Sequence, residues 1–109
     1  MVKPGDVVIV DFPGVTGIKR RPAVVVSTDT YHRTRPDAIL GLLTSQVTAA
    51  SGPTDCTLQD WQIAGLRSPS AFRAFLTTQP AARLTTVGQL SDWDWQRVQA
   101  CLRTALAIT

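Results

Sequence analysis

Two stretches, Val7-Val8-Ile9-Val10-Asp11-Phe12 and Pro22-Ala23-Val24-Val25-Val26-Ser27, constrain the fold more than anything else in the chain. β-branched side chains lose rotamer freedom in a helix and pack well on a pleated surface. Each stretch therefore predicts a strand. The first is apolar without alternation as far as Val10, which implies burial on both faces. Lys3-Pro4-Gly5-Asp6 is a turn that launches it, and Pro13-Gly14-Val15-Thr16-Gly17 is a flexible loop that ends it. The two strands are expected to pair as an antiparallel hairpin across that long loop.

The rest of the chain continues the strand-rich pattern. Thr28 to Pro36 reads as a polar connection. Ala38-Ile39-Leu40-Gly41-Leu42-Leu43 reads as a third strand that ends on Thr44-Ser45-Gln46. Asp55-Cys56-Thr57-Leu58 is a short strand, and Trp61 and Ile63 suit the start of a further extended segment. Ser70 to Thr78 is a strand with Phe72 and Phe75 as core candidates. Pro80-Ala81-Ala82-Arg83-Leu84 predicts a short helix, with Gly88 as its closing C′ glycine.

The last element has the strongest signals. Ser91 is an N-cap with Asp94 at N3, Asp92 favours the positive helix end, and Leu90 and Trp95 occupy the positions of a hydrophobic staple. Trp95, Val98, Leu102 and Leu106 then form one apolar stripe. Strands followed by helices imply an α+β fold: a small, strongly curved antiparallel sheet or barrel with a short helix and a C-terminal amphipathic helix. A chain of 109 residues is expected to form one domain, 1–109.

Charge is modest in sum and uneven in place. Eleven Lys and Arg against eight Asp, with no Glu, leave a net charge of +3. Lys19, Arg20, Arg21, Arg33 and Arg35 fall close together, opposed there only by Asp29. That is a local basic zone suited to an anionic partner. Pro22 biases Arg21 towards an extended backbone, so its planar, phosphate-gripping guanidinium sits at a rigid strand entrance. If strands two and three are antiparallel neighbours, the start of one lies beside the end of the other. Arg21 and Thr44-Ser45-Gln46 then share one rim of the sheet, a cradle for a phosphodiester. Cys56 and Cys101 fit no metal spacing, no apolar run is long enough to span a membrane, and no signal peptide is visible. Free thiols, no metal, no membrane and a cytoplasmic location are the expectations.

An ordered set of pieces carries a family resemblance. Pro4-Gly5-Asp6-Val7-Val8 with Asp11-Phe12, Arg21-Pro22-Ala23-Val24-Val25-Val26-Ser27, Leu43-Thr44-Ser45-Gln46, Gly65-Leu66, Pro69-Ser70, and Arg83-Leu84 with Val87-Gly88-Gln89-Leu90-Ser91 resemble the MazF/PemK toxins of type II toxin–antitoxin pairs. The resemblance implies an SH3-like barrel and a homodimer. It further implies metal-independent endoribonuclease activity on single-stranded RNA, mRNA first among the candidates, and neutralisation by a MazE/PemI-type antitoxin. The family's catalytic pair falls on Arg21 and Thr44. Lys19, Arg20, Arg33, Arg35, Ser45 and Gln46 are candidates for holding the RNA, against a solvated basic face and routine strand-end polarity. Trp61, Trp93 and Trp95 are candidates for stacking on bases; Trp95, on the apolar stripe, is expected in the core instead, and Trp93, off it, also suits a partner surface. His32, the one histidine, is a possible acid or base or else a surface histidine. Two departures stand out: residues 72–78 hold no acid where family members commonly carry an acidic polar stretch, and the 13–19 loop is short. Two rival readings put a binding protein on the same fold. One is a CcdB-type gyrase poison, although that type has a Trp-Gly-Ile ending where this chain ends Ala107-Ile108-Thr109. The other is an inactive SH3-like module.

Overall fold

The computed structural model describes residues 1–14 and 17–108. Six strands form one antiparallel sheet, curled as a half-barrel: β1 (Asp6–Gly14), β2 (Gly17–Val25), β3 (Asp37–Thr44), β4 (Asp55–Thr57), β5 (Ala71–Pro80) and β6 (Thr85–Gln89). Their spatial order is β4-β5-β3-β2-β1-β6. Helix α1 (Asp29–Thr34) lies between β2 and β3, and helix α2 (Asp92–Ala105) ends the chain.

The apolar run of β1 is buried on both faces because the sheet has a core on each side. Val7 packs with Val24, Leu43, Leu58, Phe72, Val98 and Cys101 under α2. Val8, Val10 and Phe12 pack with Ala23, Val25, Ala38 and Leu40 on the opposite face. The cross-strand register explains the sorting. Val7 opposes Val24 and Val8 opposes Ala23, and opposed residues share a face.

Several expectations need correction. β1 and β2 run far past the predicted ends, to Gly14 and from Gly17. In place of the expected long loop the strands stay paired as far as Gly14 and Gly17, and residues 15 and 16 lie outside the described residues. Lys19 and Arg20 are consequently strand residues. The polar connection after β2 holds α1, started by Thr28, whose hydroxyl accepts from Tyr31 N. Residues 81–83 form only a single 3-10 turn, and Gly88 belongs to strand β6. Trp61 and Ile63 sit in turns, not in an extended segment. Phe75 is 52 % exposed, touching Phe12 edge-to-face at 5.4 Å, whereas Phe72 is fully buried.

Helix α2 starts at Ser91, whose hydroxyl accepts from Asp94 N at 3.2 Å. The Asp94 carboxylate does not close a capping box. It is fully buried and turns to a distant segment, accepting from Gln59 N at 2.9 Å and Asp60 N at 2.8 Å. Arg97 adds a bond to Thr57 O at 2.7 Å. Trp95, Val98, Cys101 and Leu102 face the core, while Leu106 lies beyond the helix and is exposed.

Two predictions follow from this packing. Asp94→Ala removes both charge-assisted bonds and leaves a void, so it is expected to cost about 3 kcal/mol in urea unfolding. Burial, and then the neighbouring Cys101, pushes the Cys56 thiol up to about 12. An unfolded thiol ionises near its ordinary value of about 8.5 while the folded one stays protonated. The unfolded state therefore binds fewer protons above that point, and Cys56 makes stability fall as pH rises. The drop expected between pH ~9 and ~11, relative to Cys56→Ala, is about 1.4 kcal/mol per unit, read from urea unfolding of both proteins.

Candidate active site

The ladder between β2 and β3 pairs Ala23 with Leu42, Val24 with Gly41 and Val25 with Leu40. Continued by two residues, the same register sets Arg21 opposite Thr44, and strand alternation gives both residues one face. The chain thus brings together two side chains far apart in sequence. A cleft of about 620 Å³ opens at this rim. From β2 it is lined by Lys19, Arg20, Arg21 and Pro22, from β3 and its end by Leu43, Thr44 and Ser45, and from β1 by Ile9. Its far wall is Gly65 to Ser68 with Ser70, and Val87 of β6.

The wall was not foreseen as part of a site. Its place is fixed by two backbone approaches. Gly65 has φ +83°, and a Cβ there would stand 2.4 Å from Val87 O; one at Gly88 would stand 2.3 Å from Ala64 O. Only glycine permits both contacts. The signal available in the sequence was weak: a cation, Arg67, in a Gly-Leu-Arg-Ser-Pro turn.

The electrostatics are one-signed. Among the described residues no carboxylate lines the cleft, and none lies in ion-pair range of Arg21. Arg20 is different: it opposes Asp11 in register and meets its carboxylate at 3.7 Å. Thr44 is buried, and its Oγ1 accepts from Gln46 N at 3.1 Å. That bond orients the hydroxyl and leaves its proton available to donate. Cations and hydroxyls without carboxylates form a donor set for an anionic ligand and not for a hard divalent cation.

The family described as PemK-like, MazF-like toxin of type II toxin–antitoxin system matches residues 3–106. The chain belongs to this family. Among proteins of curated function no match is found. Solved toxins of the MazF kind share the fold. An endoribonuclease in complex with its cognate antitoxin, from mycobacterial species, superposes with a TM-score of 0.79 at 17% identity, over 100% of this chain and 98% of that one. MazE–MazF from Deinococcus radiodurans gives 0.74 at 21% identity, over 99% and 97%. The Mycobacterium tuberculosis toxin MazF-mt6 gives 0.70 at 16%, over 94% and 98%.

Not every residue singled out in this MazF-like chain reaches the cleft. Gln46 is exposed beside Ser45 but is not a lining residue. Arg33 and Arg35 lie on and beyond α1, where Arg33 donates to Thr30 Oγ1 at 3.2 Å and Arg35 stands over the Tyr31 ring at 5.7 Å. Trp61 is half-buried against the core, Trp95 packs there as expected, and Trp93 is 55 % exposed at the start of α2. His32 is away from the cleft, its side chain only 3% exposed. Its Nε2 is 2.5 Å from Ser27 Oγ, which also accepts from Ile39 N at 3.0 Å. The histidine clasps α1 to the far ends of β2 and β3. His32→Ala leaves a buried hydroxyl short of a partner and opens a void, so a loss of about 2 kcal/mol is expected in thermal or urea unfolding.

Proposed function

We propose that this toxin is a metal-independent endoribonuclease that cuts single-stranded RNA, with mRNA as its main target, by attack of a 2′-hydroxyl on the adjacent phosphorus. The observation that carries the reading is the cleft itself, which Arg21 and Thr44 both line from neighbouring strands and which, among the described residues, no carboxylate lines.

In this reaction the 2′-oxygen forms a bond to phosphorus while the bond to the 5′-oxygen breaks. The 2′-hydroxyl gives up its proton, and the departing 5′-oxygen takes one. A 2′,3′-cyclic phosphate and a 5′-hydroxyl result, and no water is consumed. Negative charge gathers on the non-bridging oxygens as the phosphorane-like transition state forms. The Arg21 guanidinium meets that charge through two N–H donors, and the Thr44 hydroxyl supplies a third. A guanidinium stays protonated below pH ~12, so Arg21 stabilises charge and does not act as the base. Lys19, Arg20 and Ser45 line the approach and hold the RNA backbone. Gln46, Arg33 and Arg35 extend the basic surface outside the cleft. His32 is assigned to holding α1 and not to proton transfer.

The family and the solved neighbours support the biological setting. Those neighbours include an endoribonuclease with its cognate antitoxin and MazE–MazF pairs. The protein is accordingly read as a cytoplasmic homodimer that arrests translation and growth until a MazE/PemI-type antitoxin neutralises it. Among the described residues no helix is long and apolar enough to cross a membrane.

The test is cleavage of mixed-sequence single-stranded RNA by purified protein in EDTA, with the ends mapped. Cyclic phosphate ends and unchanged activity in EDTA are expected. Arg21→Ala should slow cleavage roughly 10²- to 10³-fold with normal thermal unfolding, and Thr44→Ala should have a smaller, clear effect at saturating RNA. Intact RNA after incubation with the wild type would favour a non-catalytic binding protein. Wild-type rates in folded Arg21→Ala would remove Arg21 from the mechanism.

A further inference from the structure

We propose that Arg67 is a second phosphate-binding residue of the cleft, gripping the backbone phosphate next to the one that is cut. The proposal rests on the endoribonuclease reading above.

Arg67 lines the same cleft as Arg21 and Thr44 but belongs to the opposite wall. It is exposed, and no acidic side chain among the described residues lies in ion-pair range of it. Its backbone is held from both sides. Leu66 N donates to Trp61 O at 3.2 Å, and Gly65 is wedged against Val87 O. Beyond it, the buried Ser70 donates from Oγ to Ser68 O at 2.9 Å, and Ser70 O accepts from Leu58 N at 2.9 Å. A guanidinium on so fixed a base needs no further ordering of the backbone when it binds.

The size of the cleft calls for a second contact. Its volume lies in the range that encloses a whole small ligand, roughly 300–1,000 Å³, well beyond a single phosphate group. A strand threading it with one phosphate at Arg21 and Thr44 carries its neighbouring phosphate towards the Gly65–Ser70 wall. The polar groups on that wall are Arg67, Ser68 and Ser70. Of these, Arg67 alone is charged, and its two-pronged donor fits a phosphate better than a base edge in a strand of arbitrary sequence.

The two phosphate sites then differ in their effect. Arg21 acts on charge that develops at the reacting phosphate and governs the rate. Arg67 meets charge already present in the ground state, so it governs affinity.

A mixed-sequence 2′-O-methyl oligoribonucleotide lacks the attacking hydroxyl and reports binding without cleavage. Its affinity for the wild type, Arg67→Ala and Arg67→Lys is measured by fluorescence anisotropy across a salt series. Single-turnover cleavage of unmodified RNA of the same sequence is measured at saturating protein. Arg67→Ala should bind about tenfold more weakly at moderate salt. Its log-affinity against log-salt slope should be shallower by about 0.7, the value for one single-strand phosphate. Arg67→Lys should restore the slope and part of the affinity, and all three proteins should cut at the same saturated rate within about twofold. Unchanged affinity and slope in Arg67→Ala overturn the proposal. So does weaker binding with an unchanged slope, which marks a base contact, and so does a lower saturated rate with affinity kept. A wild type that neither binds nor cuts RNA overturns the endoribonuclease reading itself.

Discussion

The carboxylate of Asp94 is the contact on which the site most depends. A fully buried carboxylate is costly unless donors replace its water, and here two consecutive backbone N–H groups, of Gln59 and Asp60, do so. These donors come together only when α2 and the segment after β4 are both in place. The helix and the segment therefore order each other. That segment runs on to Ala64 and Gly65, which press against β6, and then to the wall of the cleft. A buried side chain thus helps hold the wall of a cleft it does not line.

The opposite wall depends on the period of the strand. Lys19, Arg20 and Arg21 look like one basic patch in the sequence and all line the cleft from β2, but their cross-strand partners set them apart. Arg20 opposes Asp11 and forms an ion pair between two exposed side chains, a contact worth little but enough to partly neutralise it. Arg21 opposes Val10, has no acid beside it, and comes level with Thr44 when the β2–β3 register is continued. Pro22 fits here because it opposes Ile9 beside the cleft, where β2 has passed the last pair of its ladder with β3 and needs no N–H on that side.

Much of this architecture was legible where a segment's local preference and its tertiary setting agree. The β-branched runs of β1 and β2, the third strand ending at Thr44, and Ser91 with the stripe of α2 all have this property. Helix α1 lacked a signal because none of its residues is fully buried, so it has no apolar period to read. Strand β6 is an edge strand with mostly exposed residues, and Gly88 there answers to a close approach of Ala64 O and not to a helix end. Asp94 showed the pattern of a capping box, yet its partners lie 34 and 35 residues away. Phe75 falls where the β5 register shifts, so it reaches only the rim of the second core, against Phe12, and stays half exposed. Half of the cleft, Lys19 to Pro22 with Thr44 and Ser45, could be placed from motifs. The Gly65–Ser70 wall entered only as Gly65-Leu66 and Pro69-Ser70 of the family resemblance, with no role in a site, because turn residues carry no periodicity and their position is set by contacts remote in sequence.

This split between a readable half and an unreadable half has a physical basis. The residues assigned to chemistry sit on paired strands, where the hydrogen-bonded ladder fixes the backbone and the register decides which side chains become neighbours. Such a requirement leaves a local pattern, because the strand must form for the site to exist. The wall needs only a fixed distance from the rim, and any loop held by a buried carboxylate and two glycines can supply it. Its side chains are then free of the demands of the sheet. Arg67 can therefore be replaced without touching the core, whereas Arg21 and Thr44 are tied to the strands that hold them. In this fold the strand-borne side of the cleft is held fixed while the facing wall is free to vary.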